Sequence, residues 1–337
     1  DYTQNDTVGK AGLEQYYETY LRGKNGEQKF YIDNVGRISE IISSTDSVAG
    51  DDLYLSIDAD LQKATYLALQ NEIAAIVYSN IKSGEIPIND VYTALIGNSV
   101  INTEHFSKSK ASDTEKSVLS VFKSRQKTTL GKIKQELTSS PEALNTMSDE
   151  VLDEFTYIIS MLKDDQVLLK NEIDTSDSVY QKWKDQKISP KEYLNYCITQ
   201  HWIDISQLNV DEKYADSTEV YDALCKYILK NIKTDTEFSK IIYQYMITRG
   251  EISPRQLCLI LFDQGVLDYD DATVNKLKNG SLSPRDFLMK KIYNIEITPA
   301  QLALEPCIGS CVVTDEKTGE IRAMVSYPGY DSNKLAN

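Results

Sequence analysis

The sequence contains few of the residues that build metal sites or disulfide frameworks. Its 337 residues include two His and five Cys, and the five Cys form no C-x-x-C pair. An odd number of Cys without paired spacing argues against a zinc site and against a disulfide framework. We expect buried free thiols, although Cys307 and Cys311 are close enough in sequence that a pairing between them stays open. The Cys are Cys197, Cys225, Cys258, Cys307 and Cys311.

Glycine, proline and basic residues are also scarce. The chain has 15 Gly and 8 Pro, well below the roughly 12% that this pair usually contributes, which favours long helices over a loop-rich β fold. With 36 Lys and Arg against 51 Asp and Glu, the net charge is −15. Nucleic-acid binding requires clustered cations in net excess, so it is not expected.

Long apolar runs are absent as well. No run reaches the roughly 18 residues that a membrane-spanning helix needs, and no signal segment opens the chain, which begins Asp1-Tyr2-Thr3. Any membrane anchor therefore lies outside this sequence or does not exist.

Three zones of composition follow one another along the chain. Residues 1–57 contain six Gly and β-prone runs, which predict one short helix at about 11–22 and short strands such as 29–32 and 52–57. From Asp58 the apolar residues recur at three- and four-residue spacing. This pattern predicts a helix over 59–82 that is capped by Asp58 or Asp60.

The middle of the chain, 83–306, repeats one helix-start pattern. Ser or Thr followed by Pro places a capping oxygen at the N-cap and a proline at the first helical position. Three of the five copies also carry Glu or Gln three residues after the cap, as in a capping box. Unequal spacing between the copies excludes a regular solenoid, so we expect an irregular helical bundle. The copies begin at Ser140, Ser189, Ser253, Ser283 and Thr298, and the box partners are Glu192, Gln256 and Gln301.

Residues 307–337 return to β structure. The stretch 310–327 predicts strand, turn and strand, with Gly319 at the turn position that requires positive φ. The expected fold class is therefore α+β and helix-dominated, with β structure at the two ends and the helical bundle between them.

Three stretches together resemble class B penicillin-binding proteins, in the order in which that family carries them. The first resembles the G-x-x-G-L-E and Y-E-x-x-L-R-G signature that precedes the transpeptidase domain. The second resembles the first strand and helix of that domain, and the third its following hairpin. The matching residues are Gly9, Gly12, Leu13, Glu14, Tyr17, Glu18, Leu21, Arg22 and Gly23; then Asp58, Leu61 and Gln62; then Asp315, Thr318, Gly319, Tyr327 and Pro328.

The resemblance implies a domain organisation with one large departure from the family. Residues 1–50 correspond to the pedestal or dimerisation-type segment and 51–82 to the first transpeptidase strand and helix. Residues 307–337 correspond to the hairpin that precedes the S-x-x-K motif. In the family the helix leads into the hairpin after a few residues, whereas 83–306 intervene here. We interpret 83–306 as an inserted all-helical domain. In the pedestal, Glu18 and Arg22 stand at the i, i+4 spacing of an ion pair.

The family's chemistry is serine acyl transfer, which crosslinks peptidoglycan by attack on D-Ala-D-Ala stem peptides and is inhibited by β-lactams. In the family order the nucleophile follows the Y-P-x-Y-D-x-N stretch, so we expect it beyond Asn337. This chain is then non-catalytic, and we expect no catalytic residue, cofactor or metal in it. S-x-x-K also occurs at Ser107/Lys110, Ser120/Lys123, Ser124/Lys127 and Ser160/Lys163, which composition explains, and Lys317-Thr318-Gly319 reads as the hairpin turn.

Two other patterns leave alternatives open. His201, Trp202 and Cys197 suggest a packed amphipathic helix face more than a site. Lysines dominate 107–136. This stretch is interpreted either as a solvated helix face or as a surface that binds an anionic polymer or an acidic partner.

The resemblance also implies partners and a location for the parent protein. It would be anchored in the bacterial membrane and act at its extracytoplasmic face, where peptidoglycan stem peptides and β-lactams are its ligands. A second hypothesis is a non-catalytic interaction module, in which the helical insertion recruits cell-envelope or division proteins. A third is a β-lactam-sensing or catalytically degenerate relative.

Overall fold

Fourteen α-helices and four strands make up the part of the chain that the computed structural model describes, namely residues 2, 7–139, 142–210 and 215–329. In chain order they are α1 Gly12–Tyr16, α2 Glu18–Leu21, β1 Glu27–Ile32, β2 Ile38–Thr45, α3 Ala59–Ser83, α4 Ile88–Gly97, α5 Asp113–Thr138, α6 Asp149–Asp164, α7 Ser178–Lys184, α8 Pro190–Thr199, α9 Ser217–Ile232, α10 Thr236–Thr248, α11 Pro254–Asp263, α12 Asp271–Asn279, α13 Pro284–Tyr293, α14 Pro299–Leu302, β3 Gly309–Thr314 and β4 Ile321–Tyr327. Short 3₁₀ turns lie at Thr103–Ser107, Leu144–Thr146 and Ile205–Gln207. This composition confirms the predicted helix-dominated α+β class.

The chain divides into two compact units. The first comprises 1–64 and 312–324, and the second comprises 65–311 and 325–337. In the first unit β1 and β2 pair as an antiparallel hairpin with two register irregularities. Every residue of both strands is exposed, including the apolar side chains of Tyr31, Ile32 and Ile41.

Two expectations for the first unit are wrong in detail. The helix predicted at about 11–22 is divided into α1 and α2, because Tyr17 leaves helical geometry at φ −101° and ψ 14°. The strand predicted at 52–57 is absent, although the helix predicted at 59–82 is present as α3. A β-prone sequence becomes a strand only where a neighbouring strand completes the hydrogen-bond ladder. None of the described strands pairs with 52–57, and directly after it Asp58 N donates a backbone hydrogen bond to Arg322 O at 2.9 Å.

The second unit repeats one helix-to-helix turn. After α10, Gly250 adopts a left-handed conformation at φ 74° and donates to Ile247 O at 2.9 Å, while Glu251 N donates to Met246 O at 2.8 Å. These two bonds are the Schellman motif, which satisfies carbonyls at a helix C-terminus. The following Ile252 is fully buried, and Ser253 then caps α11. The same turn after α13 places Ile295, a β-branched residue, at φ 59°.

The predicted helix starts are confirmed where the structure describes them. Ser189, Ser253, Ser283 and Thr298 each cap a helix whose first turn contains the following Pro. Complete capping boxes form at Ser253 and Thr298. The fifth copy, at Ser140, lies outside the described residues.

One continuous hydrophobic core fills the helical unit. Its largest buried side chains include Phe106, Phe155 and Phe238, and the rings of Phe122 and Tyr243 stack at a centroid distance of 4.1 Å. Three fully or nearly fully buried carboxylic acids, Glu115, Glu150 and Glu154, interrupt this apolar interior.

Candidate functional site

In the first signature stretch, the side chain of Glu18 links two chain segments. Its carboxylate accepts hydrogen bonds from Gly9 N at 2.8 Å and from the Tyr2 hydroxyl at 3.2 Å. The guanidinium of Arg22 lies 3.9 Å from the centre of the Tyr2 ring, which is cation–π geometry. Both charged residues of the expected i, i+4 pair therefore contact Tyr2.

Two glycines of the same region allow close contact between backbone segments. A Cβ added to Gly50 would lie 1.9 Å from Leu21 O, and one added to Gly23 would lie 2.3 Å from Val48 O. Lys24 and Val48 exchange hydrogen bonds of 2.8 and 2.9 Å beside them. The remaining signature residues, Gly12, Leu13, Glu14, Tyr17 and Leu21, belong to α1, α2 and the residue between them.

The second and third stretches come together at the start of α3. Ser56 Oγ donates to Ile321 O at 2.8 Å, Asp58 N donates to Arg322 O at 2.9 Å, and Met324 N donates to Gln62 Oε1 at 2.7 Å. The Asp58 carboxylate also accepts from Leu61 N at 2.9 Å, so it caps α3 as predicted. These contacts join residues that are separated by about 260 positions in the sequence.

The tip of the β3–β4 hairpin is organised by Asp315. Its Oδ1 accepts from Lys317 N at 2.8 Å and from Thr318 N at 3.0 Å, and Gly319 takes φ 74°. These backbone donors lower the pKa of Asp315. Lys317-Thr318-Gly319 is therefore part of a turn, as the sequence predicts.

Tyr327 anchors the end of β4 in the helical unit. The side chain is 3% exposed, its hydroxyl accepts a hydrogen bond from Ala300 N at 3.2 Å, and its ring lies 5.9 Å from that of Tyr66. Pro328 follows it on the surface, and the matching positions after Gly329 lie outside the described residues.

The internal S-x-x-K matches lie on exposed surfaces. Ser120, Ser124 and Ser160 are exposed residues of α5 and α6, and Ser107 Oγ donates to Glu104 O at 2.9 Å. An acyl-transfer nucleophile requires an adjacent base and an oxyanion hole in a site that excludes water. The described geometry gives none of these serines such a site.

Neither His nor Cys forms a metal site in the described part of the chain, where no three His, Cys, Asp or Glu side chains are grouped to hold an ion. Cys197 and Trp202 are buried as expected, whereas His201 is exposed because it occupies the left-handed position after α8.

Burial raises the pKa of Cys197 and Cys258 to about 12 and that of Cys225 to about 11. Cys307 and Cys311 are half-buried, and all five thiols are free.

A buried carboxylate connects α5 to two other segments. Glu115 is 0% exposed and accepts hydrogen bonds from Gln264 Nε2, Ser112 N and His105 Nδ1, at 2.8, 2.7 and 2.7 Å. Burial opposes ionisation, but these bonds, that from Gln264 foremost, outweigh it and hold the pKa of Glu115 below its ordinary value. The sequence signal for this residue is the S-x-x-E capping box at Ser112, which lacks the proline of the repeated helix-start pattern.

A second buried group lies on α6. Glu150 accepts hydrogen bonds from Arg249 Nη1 at 2.9 Å and Arg125 Nη2 at 3.2 Å. One turn later Glu154 is 2% exposed, and its Oε1 has no hydrogen-bond partner in the described structure. Burial and the charge of Glu150 raise the pKa of Glu154 to about 8. Sequence reasoning missed this pair, because it depends on three helices packing together.

A groove between α5 and α9 collects part of the lysine-rich stretch. Its volume is about 520 Å³, its rim carries Lys123, Lys127, Lys134 and Lys233, and its apolar floor includes Leu130 and Leu229. The hydrogen bond from Gln126 Nε2 to Lys233 O, 3.1 Å, joins the two sides. Part of the lysine-rich stretch therefore borders a concave surface.

None of the described helices is long and apolar enough to cross a membrane.

Residues 1–55 match the family described as penicillin-binding protein dimerisation domain. The chain is 33% identical over 86 residues to the peptidoglycan D,D-transpeptidase MrdA of Salmonella typhimurium, which is 26% of this chain and 14% of that protein. Over 118 residues it is 34% identical to the peptidoglycan D,D-transpeptidase FtsI of Escherichia coli K12, covering 35% of this chain and 19% of FtsI.

Penicillin-binding protein 2A of Bacillus subtilis is 35% identical over 74 residues, which are 22% of this chain and 10% of that protein. The chain thus spans less than a fifth of the length of these relatives. No solved structure matches it. The dimerisation-domain match and the similarity to MrdA and FtsI confirm that this sequence resembles the N-terminal part of class B penicillin-binding proteins.

Proposed function

We propose that this chain belongs to a membrane-anchored, extracytoplasmic D,D-transpeptidase that crosslinks peptidoglycan by serine acyl transfer. In this proposal the chain supplies the pedestal, the first transpeptidase elements and a large helical insertion. The nucleophilic Ser is contributed by sequence that follows Asn337 in the parent protein. The ligands of the parent are D-Ala-D-Ala stem peptides and β-lactams, and this chain by itself is catalytically silent.

The observation that carries the proposal is the contact between the two stretches that flank 83–306. Gln62 and Met324 are hydrogen-bonded at 2.7 Å although 262 positions separate them. A domain inserted into a pre-existing helix-to-hairpin connection must leave the two ends of that connection adjacent. The hydrogen bonds of Ser56, Asp58 and Gln62 to the 321–324 backbone support this arrangement, and the similarity to the D,D-transpeptidases MrdA and FtsI supports the activity proposed for the parent.

The test is intact-mass analysis after incubation with a β-lactam, which acylates a transpeptidase serine and adds its own mass to the protein. Two proteins are compared: this chain, and the same chain extended through its natural C-terminus. We expect one adduct on the extended protein and none on this chain. A variant of the extended protein with Ala in place of the Ser of its first downstream S-x-x-K motif is the control and should remain unmodified.

The other outcomes contradict the proposal. An adduct on neither protein would point to a sensor-like or degenerate relative without acyl transfer. An adduct on this chain alone would assign the nucleophile to one of the exposed internal serines, of which Ser120, Ser124 and Ser160 are the helical ones.

A second function is compatible with the first: the helical insertion recruits another cell-envelope or division protein. The observation that favours it is the groove between α5 and α9, because a concave surface with a charged rim and an apolar floor has the composition of a protein-binding site.

A further inference from the structure

The four lysines of the α5–α9 groove form a concentrated positive surface on an acidic protein. Lys123, Lys127 and Lys134 are spaced at i, i+4 and i+11, which places them along one face of α5. Among the described ion pairs none involves these three or Lys233. Like charges one helical turn apart are mutually destabilising. The chain therefore maintains this cluster against its own repulsion, although its net charge is −15.

Gly131 provides an independent second observation. It lines the groove in the interior of α5, where glycine is less favourable than alanine. A Cβ added at this position would meet nothing within 4 Å. The packing of this chain therefore does not require a glycine here. A glycine on a helix surface allows another backbone to approach closely.

The floor of the groove decides between two kinds of anionic partner. Leu130 and Leu229 are half-buried, so each still exposes apolar surface inside the groove. A polyphosphate-like or nucleic-acid polymer would satisfy the lysines but has no aliphatic group to place on the leucines. An acidic polypeptide segment with apolar side chains on one face satisfies both, because its apolar side chains are removed from water against the leucines.

We propose that the groove between α5 and α9 docks an acidic amphipathic segment of a partner protein. Its carboxylates lie against Lys123, Lys127, Lys134 and Lys233, its apolar side chains contact Leu130 and Leu229, and its backbone passes over Gly131. This inference rests on the second function proposed above, recruitment by the helical insertion. It is independent of β-lactam acylation, so either proposal can fail while the other holds.

Fluorescence anisotropy on the full chain tests the proposal with three kinds of probe that carry equal charge. They are a panel of fluorescein-labelled Glu-rich peptides with Leu pairs at i, i+3, i, i+4 or i, i+7 spacing, a polyglutamate without Leu, and a polyphosphate. We expect at least one Leu-containing peptide to bind about tenfold more tightly than polyglutamate or polyphosphate. Its affinity should fall as ionic strength rises, because exposed charge contacts are screened by salt.

Two variants locate the binding. Lys127→Glu combined with Lys134→Glu should weaken the peptide about tenfold or more. The matched control is Lys108→Glu combined with Lys110→Glu, two exposed lysines of the same stretch outside the groove, and its affinity should stay within about twofold of the unmodified chain. Both double variants change the net charge by the same amount.

Gly131→Met separates loss of binding from loss of fold. Met is a strong helix former and the position has open space, so thermal unfolding should occur at an equal or higher temperature. The peptide should nevertheless bind about fivefold less tightly, because the Met side chain blocks the close approach of the peptide backbone over position 131.

Three results would overturn the proposal. One is the absence of saturable binding by every Leu-containing peptide. Another is polyphosphate binding as tightly as the peptides, which would make the groove a general polyanion surface. The third is an equal loss of affinity in the groove variant and in the Lys108/Lys110 control.

Discussion

Replacement of Glu154 by Gln is expected to change how the stability of the helical unit depends on pH. Glu154 is 2% exposed, its Oε1 has no partner in the described structure, and the Glu150 carboxylate lies one helical turn away. Burial, followed by the charge of Glu150, raises the pKa of Glu154 to about 8 from 4.5. The side chain is therefore mostly protonated in the folded protein at neutral pH and ionised in the unfolded chain.

The sign and size of the effect follow from this difference. Between pH 4.5 and about 8 the folded state binds one more proton than the unfolded state, so the free energy of unfolding falls as pH rises. One full proton corresponds to about 1.4 kcal/mol per pH unit, or about 2 to 3 kcal/mol between roughly pH 5 and pH 7. Glu154→Gln removes this titration. The free energy of unfolding of the variant relative to the unmodified chain should therefore rise by about that amount over the same interval.

Urea unfolding followed by far-UV circular dichroism, repeated at several pH values, measures this quantity. All other titrating groups are shared, so the difference between the two proteins isolates Glu154. Asp164→Asn, at an exposed position near the end of the same helix, is the control for removing a carboxylate from the surface of α6. Parallel stability curves for Glu154→Gln and the unmodified chain would refute the reasoning, because they would show that Glu154 ionises in the fold at its ordinary pKa.

Four further substitutions test other features. Ile295→Gly should stabilise the helical unit by about 1 kcal/mol in urea unfolding, since it removes a β-branched residue from φ 59°, and Gly250→Ala, at φ 74° with open space around its Cβ, should cost about the same. Glu115→Gln should destabilise that unit by about 2 kcal/mol near neutral pH, because it weakens three buried hydrogen bonds. Since the pKa of Glu115 is lowered, its stabilisation is complete above about 4.5 and lost as pH falls through the folded value, so the cost should shrink in acid. Gly50→Ala places a Cβ 1.9 Å from Leu21 O, and limited proteolysis should then cut within 12–51 faster while unfolding of the helical unit is unchanged. Destabilisation by Ile295→Gly, no cost for Gly250→Ala, a cost of Glu115→Gln that grows in acid, or unchanged proteolysis of Gly50→Ala would each contradict the contact or backbone geometry on which that prediction rests.

The helix starts and the hairpin turn could be predicted because their causes lie within a few residues. A Ser or Thr hydroxyl reaches the N–H three positions later, and the following Pro already has helical φ, so Ser189, Ser253, Ser283 and Thr298 cap helices as expected. The Asp315 carboxylate organises its turn by accepting hydrogen bonds from the backbone N–H groups of Lys317 and Thr318, two and three residues later. The same local reasoning did not detect the break at Tyr17 or the missing strand at 52–57.

The sequence by itself determined the fold class, the repeated helix starts and the resemblance carried by the two ends, since each depends on short-range patterns that any chain with these residues would keep. Only the tertiary structure decided which distant segments meet: Gln62 with Met324, Glu150 with Arg125 and Arg249, and the lysines of α5 with Leu229 of α9. The physical reason is that burial and charge at these places are properties of several helices packed together. A carboxyl such as Glu154 acquires its raised pKa only when other elements exclude water from it.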